Sequence, residues 1–247
     1  MGSTRFPGKV LELVDGTNPA LHHTINQLRA SKILKNIVIA TTTNTEDDVI
    51  ADFAKKLNIK VFRGDSSDVL SRYYNCAKFF SFSSILRVTA DCPLIDPLVV
   101  DQGISKFLEK EYDYVTNTHP RTFPDGNETE IFSFRILELA HKKAILPSER
   151  EHVTPYFRNN ENQFKIFNFT YKKNISNLRW TLDYEQDLKL IKIIFSSIKE
   201  RPIHLESILR LLENKPDLIN INNDHQPNEG YQRSLDEDNK FLKKLNK

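Results

Sequence analysis

Through the first half of the chain, short β-branched runs alternate with amphipathic stretches, which predicts repeated strand–helix units. Residues 35–41 (KNIVIAT) read as a buried parallel strand. Residues 45–57 read as the following helix, with Glu46, Asp47 and Asp48 behind Thr45, where acids suit the positive end of a helix dipole. The same alternation predicts strands at 59–62, 84–89, 112–116 and 131–134, and helices at 65–80, 98–109 and 136–144. Units of this size imply an α/β fold, a mostly parallel sheet with helices on both faces. His22 and His23 precede an amphipathic stretch and read as surface or packing histidines. Beyond residue 145 the order changes to a helix at 148–158, strands at 164–171 and 178–182, and helices at 187–198 and 205–213. From residue 224 the chain is polar and mixed in charge, an extended arm or a final surface helix. No repeat or low-complexity linker divides it, so we expect one domain over 1–223 and a polar tail over 224–247.

Composition removes whole classes of function. The 247 residues suffice for one large α/β domain or two small ones. Lys and Arg number 35 against 33 Asp and Glu, and a net charge of +2 argues against a dedicated nucleic-acid binder. Cys76 and Cys92 cannot build a disulfide framework, lack zinc-site spacing and read as small packing residues. No apolar run approaches the ~18 residues of a membrane span, and MGSTRFPGKV contains no apolar signal region. The expectation is a cytoplasmic protein with neither membrane nor nucleic-acid partner.

Three segments carry candidate chemistry. In MGSTRFPGK, Gly2 and Gly8 permit close backbone approach, Ser3 and Thr4 offer hydroxyls, and Arg5 and Lys9 offer cations. That combination suits a triphosphate, although composition alone favours a basic, frayed terminus. It lacks Walker A spacing. In RVTADCPLID, Asp91 falls just past the carboxyl end of a strand, where open α/β sheets bind ligands. A carboxylate there can hold Mg²⁺ against substrate phosphates, or simply cap a turn. In RWTLDYEQD, Asp183 ends a short strand and could converge with Asp91, whereas Asp187 reads better as a helix cap. Arg150 and His152, near a predicted helix start, suit an anionic substrate or a solvated turn, and Trp180 reads as packing.

Taken together, these segments resemble the cytidylyltransferase family that activates sugars for surface polysaccharides, which includes the CMP-KDO and acylneuraminate synthetases. Within it the likeness is to the subgroup of spore coat polysaccharide biosynthesis protein F. MGSTRFPGKVL is similar to the family's Arg-x-x-Ser-x-Arg-x-Pro-Gly-Lys loop. IVIATTTNTEDD, KVFRGDSSDVLSRYYNCA, RVTADCPLIDP, FPDGNETEIFS, REHVTPYFR and RWTLDYEQDLKLI follow in matching order and spacing, and NEGYQRSLDED resembles tails of that subgroup. The resemblance implies a three-layer nucleotide-diphospho-sugar transferase-like (GT-A-like) fold with a small antiparallel excursion. It implies that Arg5 and Lys9 bind the triphosphate, with Gly2 and Ser3 supplying backbone contacts. Asp91 and Asp183 would be the Mg²⁺ carboxylates. Thr41, Thr42 and Arg63 fall where the family holds base and ribose, with Arg87 beside them. Asp125, Glu130, Arg150 and His152 fall in the sugar region.

The implied reaction is CTP plus a sugar giving CMP-sugar and pyrophosphate, by attack of a sugar oxygen on the α-phosphorus. A sugar acid is the favoured acceptor, by resemblance alone. A homodimer paired through residues 118–175 is a further implication. The rivals are an inactive nucleotide-binding relative and a GT-A-type glycosyltransferase, although Asp91 and Asp96 lack the Asp-x-Asp spacing of the latter. One departure stands out. The family's loop follows an apolar strand ending in Ala-Arg, and here Met1 occupies the next position. Met1 is therefore expected to be an internal methionine of a longer protein, whose absent strand leaves both neighbours with one open edge.

Overall fold

The first residues form a loop and a 3-10 turn at Lys9–Leu11 before helix α1 (Ala20–Arg29). The computed structural model describes residues 1–3, 5–224 and 229–245. Thr4, whose hydroxyl belongs to the loop's candidate chemistry, lies outside the described residues, as do residues 225–228 and 246–247 of the tail. Pro19 stands at the N-cap of α1, so His22 and His23 lie inside the helix and not ahead of it. His23 packs against Phe195 at 4.3 Å between ring centroids, and burial lowers its pKa to about 4.

β1 (Val38–Thr42) and β2 (Lys60–Gly64) form a parallel pair, with Val38 opposite Lys60 and Thr42 opposite Gly64. A parallel crossover needs a bridging segment, supplied by a 3-10 turn at Thr45–Asp47 and α2 (Asp48–Lys56). After α3 (Val69–Phe79), a four-stranded sheet contains β3 (Ser84–Arg87), β4 (Tyr114–Thr116), β5 (Glu130–Ser133) and β6 (Ile166–Asn168). Its order is β3-β5-β4-β6. β5 runs against both neighbours and β6 runs with β4, so β5 alone opposes the common direction of this sheet. The mostly parallel architecture with one antiparallel excursion is what the sequence leads one to expect. α4 (Pro97–Leu108) connects β3 to β4, and α5 (Phe134–Lys143), α6 (Pro147–His152) and α7 (Pro155–Asn159) connect β5 to β6.

The period of two in each strand sorts side chains onto two cores. Val115 and Ile131 face a cluster with Trp180, Leu182 and Ile191, built on α8 (Glu185–Ser197) and α9 (Leu205–Asn214). Tyr114 and Phe132 face the opposite cluster with Leu70, Ile136 and Phe157. Helices thus cover both faces of the central strands.

Three expectations change. β1 is half-buried except at Thr41, because β2 is its one ladder partner among the described residues. β3 likewise pairs only with β5, while Ile37 ahead of β1 shares a small cluster with Leu86 and Val88. Residues 148–158 are two helices, since Val153 at φ 71° breaks the first and Pro155 starts the second. Residues 178–182 are not a strand: the Trp180 and Leu182 N–H groups donate to the carbonyls of Asp125 and Asp91. Only an isolated bridge, Asp125 to Arg179, remains.

The tail carries α10 (Glu229–Leu245), which packs on α6. Both cysteines are free and buried. Among the described residues, no helix is long and apolar enough to cross a membrane.

Candidate functional site

Gly8 adopts a left-handed conformation (φ 75°, ψ 1°), and a Cβ there would lie 3.1 Å from the Met1 side chain. The turn it permits sends Lys9 inward. Asp91 follows the carboxyl end of β3, and Asp183 sits just ahead of α8. Although far apart in sequence, both reach the same ammonium: Lys9 Nζ donates to Asp91 Oδ2 at 2.5 Å and to Asp183 Oδ1 at 2.7 Å. Arg5 Nη2 pairs with Asp183 Oδ1 at 2.5 Å, and its guanidinium lies 5.4 Å from the Tyr184 ring centroid. Burial alone would raise the Asp183 carboxyl, but Lys9 and then Arg5 outweigh it and hold the pKa at about 2. Burial also disfavours the charged form of Lys9, yet Asp91 and Asp183 raise its pKa on balance.

A buried framework fixes this centre from behind. Arg179 Nε and Nη2 donate to the two oxygens of Asp187 at 3.0 and 2.9 Å. Its Nη1 reaches Asp125 at 3.3 Å, and Nη2 reaches Asp183 at 3.4 Å. Asp187, fully buried, also accepts the N–H groups of Asp183 and Tyr184 and the Asn222 amide. Its reading as the cap of α8 is therefore met, and the cap doubles as a clamp on Asp183.

Beside these groups lies a cavity of about 220 Å³. Of the residues expected at the site, it is lined by Arg5, Arg87, Asp91, Asp125, His152 and Asp183. Glu130 and Arg150 do not line it. Glu130 is buried under it, accepting from Arg87 at 2.7 Å, Tyr114 at 2.5 Å and Thr154 at 2.7 Å. Burial would raise the Glu130 carboxyl, but Arg87 and those hydroxyls lower it on balance. Arg150 is turned to the Asp68 carboxylate at the start of α3 and to the His141 carbonyl. His152 does reach the cavity, and burial, partly offset by Glu151, lowers its pKa and favours the neutral ring.

The remaining candidates gather at the carboxyl ends of β1 and β2. The Thr41 and Thr42 hydroxyls donate to Asp47 Oδ2 at 2.8 and 2.7 Å. Arg63 holds the Thr42 and Asn44 carbonyls and Asp48. Gly2 lies against Glu46 of the same loop, while the Ser3 hydroxyl accepts the Phe6 N–H. Gly2, Ser3, Thr41, Thr42, Arg63 and Lys9 are not among the cavity's lining residues.

Sequence reasoning missed Arg121, Glu128, Arg179, Tyr184 and Tyr231, all of which line the cavity. Each sits inside or beside a quoted motif, and nothing in its spacing announces a role. Glu128 is the most perturbed. Burial, then the neighbouring Asp125 charge, pushes its pKa up to about 8, against the pull of Arg121 at 3.0 Å. The ordinary value is 4.5, so the folded state binds an extra proton between those limits. The resulting stability is fully present below the unfolded pKa and is lost as pH rises through about 8. Glu128→Gln keeps the uncharged shape at every pH. Urea denaturation from about pH 5 to about pH 9 should show wild type losing stability with rising pH relative to this variant. Parallel pH profiles would contradict the assignment.

With that geometry in place, comparison with known proteins is informative. Residues 1–225 match the family model described as cytidylyltransferase. The spore coat polysaccharide biosynthesis protein SpsF of Bacillus subtilis is 30% identical over 88% of this chain and 92% of its own length. The structure of a cytidylyltransferase from Leptospira borgpetersenii serovar Hardjo-bovis superposes with TM-score 0.85 at 34% identity, covering 89% of this chain and 92% of that one. A CMP:2-keto-3-deoxy-manno-octonic acid synthetase complexed with CTP shares the fold, with TM-score 0.60 at 13% identity over 79% of this chain and 95% of that one. The architecture is the nucleotide-diphospho-sugar transferase-like one.

Proposed function

We propose that this chain, which belongs to the cytidylyltransferase family, transfers the cytidylyl group of CTP to a sugar acid or a related sugar for surface polysaccharide synthesis. The observation that carries the reading is the convergence of Lys9 on Asp91 and Asp183, with Arg5 alongside, at the edge of the cavity. SpsF of Bacillus subtilis, a spore coat polysaccharide biosynthesis protein, supports surface-sugar activation as the setting.

The donor set suits Mg²⁺. Two carboxylates already share one cation, and among the described residues no third His, Cys, Asp or Glu joins them. Mg²⁺ is ordinarily held by one or two carboxylates with substrate phosphates completing its shell, not by an all-protein cage. Asp91 and Asp183 would hold it, and when bound it supplies positive charge to the phosphate oxygens.

The chain's own groups do the remaining work. Arg5 and Lys9, with Gly2 and Ser3 of the same loop, carry the β- and γ-phosphates and offset their charge. Lys9 exchanges its carboxylate partners for phosphate oxygens as CTP enters. Thr41, Thr42 and Arg63 hold base and ribose at the carboxyl ends of β1 and β2. Arg87, Asp125 and His152 position the acceptor, while Glu130 fixes Arg87 and Arg150 braces α6 through Asp68. The acceptor oxygen forms its bond to the α-phosphorus as the bond to the β-phosphate oxygen breaks, and pyrophosphate leaves with that electron pair. A sugar phosphate oxygen arrives ionised, and an anomeric hydroxyl gives up its proton to water as the new bond forms.

The test is pyrophosphate release by purified protein with Mg²⁺, each of CTP, UTP, GTP and ATP, and a panel of sugar acids and sugar 1-phosphates. The panel includes 3-deoxy-manno-octulosonate and N-acetylneuraminate. CTP-dependent release with at least one acceptor is expected. Release with another nucleotide in preference to CTP, or with none, overturns the reading.

A further inference from the structure

We propose that α10 is the acceptor wall of the cavity and that Tyr231 is a specificity-determining residue whose ring packs against the sugar. This rests on the cytidylyl-transfer reading above and assigns part of its acceptor site to a segment beyond the family match, which ends at residue 225.

Glu229, Gly230 and Tyr231, in the first turn of α10, line the same cavity as Asp91 and Asp183. That turn stands close to the loop, the Cβ position of Gly230 lying 3.9 Å from Arg5 Nη1. The helix is pinned where it must be for this. The Ser148 N–H and hydroxyl donate to the two oxygens of Asp238 at 2.8 and 2.5 Å, and both residues are buried. One turn nearer the cavity, the Ser234 hydroxyl donates to Glu151 at 2.6 Å and meets His152 Nε2 at 2.9 Å. The Tyr184 hydroxyl donates to Glu229. A solvated tail would not bury a Ser–Asp pair of this kind, because each polar group placed there needs its partner.

Tyr231 is itself oriented. The Arg158 guanidinium lies 5.3 Å from its ring centroid, and the His152 ring meets it edge-on at 5.3 Å. An oriented aromatic ring in a cavity whose lining also includes Arg87, Arg121, Asp125 and Glu128 supplies an apolar surface beside charged groups. That combination fits a ring-closed sugar, whose C–H face packs on the aromatic ring while its hydroxyl or carboxylate oxygens meet the polar lining. The triphosphate groups lie on the other elements, so the ring's contribution falls on the acceptor and not on CTP.

Steady-state kinetics of Tyr231→Ala and Tyr231→Phe, with CTP and each acceptor that wild type turns over, test this. The alanine variant should raise the acceptor KM by about tenfold or more, leave the CTP KM within about twofold, and change the ranking of acceptors. The phenylalanine variant should stay near wild type, because the ring is retained. An unchanged acceptor KM and ranking, or equal losses for CTP and acceptor, overturns the proposal while leaving cytidylyl transfer intact. Wild type inert with every acceptor overturns the transfer reading and this proposal with it.

Discussion

Asp91→Asn should lower pyrophosphate release by about 10²- to 10³-fold or more, the scale of removing one preorganised charge-stabilising group from an active centre. The substitution keeps the side-chain size but removes the charge that shares Lys9 with Asp183. Lys9 retains its second carboxylate, so the ammonium is not stranded. The Asp91 side chain is 19% exposed and that of Lys9 12%, so losing one of the ammonium's two carboxylates costs about 1–3 kcal/mol. For a domain of this size each 1 kcal/mol lowers Tm by about 2–4 °C. A folded Asp91→Asn variant with near-wild-type turnover would remove Asp91 from the chemistry. Far-UV circular dichroism alongside the assay separates a dead enzyme from an unfolded one.

The largest effect on stability should come from Arg179→Met. Its guanidinium is the shared partner of Asp187, Asp125 and Asp183, and only 8% of the Arg179 side chain is exposed. Methionine fills similar volume without charge, leaving Asp187 buried with no cation among its recorded partners. Removing one member of a buried pair leaves an uncompensated charge and costs about 3–5 kcal/mol. The Asp187 carboxylate keeps its backbone donors, which places the cost within that range and not above it. Urea denaturation should show the midpoint shift at unchanged slope. A loss below about 1 kcal/mol would mean that the backbone cap alone holds Asp187.

The two predictions separate what could be read from the sequence from what could not. Strand–helix alternation placed β1, β2, β3 and the helices between them, because a period of two and a period of 3.6 leave different marks. The same reasoning failed at 178–182, where an apolar stretch looks like a strand but its backbone N–H groups go to loop carbonyls at Asp91 and Asp125. Asp187 was legible as a cap, since capping is local. Arg179 as its partner was not, because no local rule pairs residues eight apart across a turn, and its further contact, Asp125, lies 54 residues away in sequence.

The candidate site follows the same division. Asp91 at a strand's carboxyl end carries a positional argument in the sequence itself. Its convergence with Asp183 was open as a possibility in the residues alone, but their meeting on Lys9, across 82 and 174 residues of separation, was implied neither by the residues nor by the resemblance. Arg150 shows the converse: adjacency to His152 suggested a shared pocket, but the guanidinium turns to Asp68 on another helix. Glu128 carries no sequence signal because its perturbation arises from burial beside Asp125, a property of the folded loop. Tyr231 belongs to a polar tail whose composition left arm and helix open, and only docking on α6 through Ser148 and Asp238 brings it to the cavity.

The central claim is that the bond broken is the one between the α- and β-phosphates of CTP. Turnover with CTP labelled at the α-phosphate, and separately at the γ-phosphate, tests it most directly. Cytidylyl transfer requires γ-label in pyrophosphate and, in equal amount, α-label in the sugar nucleotide, a CMP-sugar with a sugar acid or a CDP-sugar with a sugar 1-phosphate. Label from the γ-phosphate in inorganic phosphate, or α-label only in CDP, would contradict it.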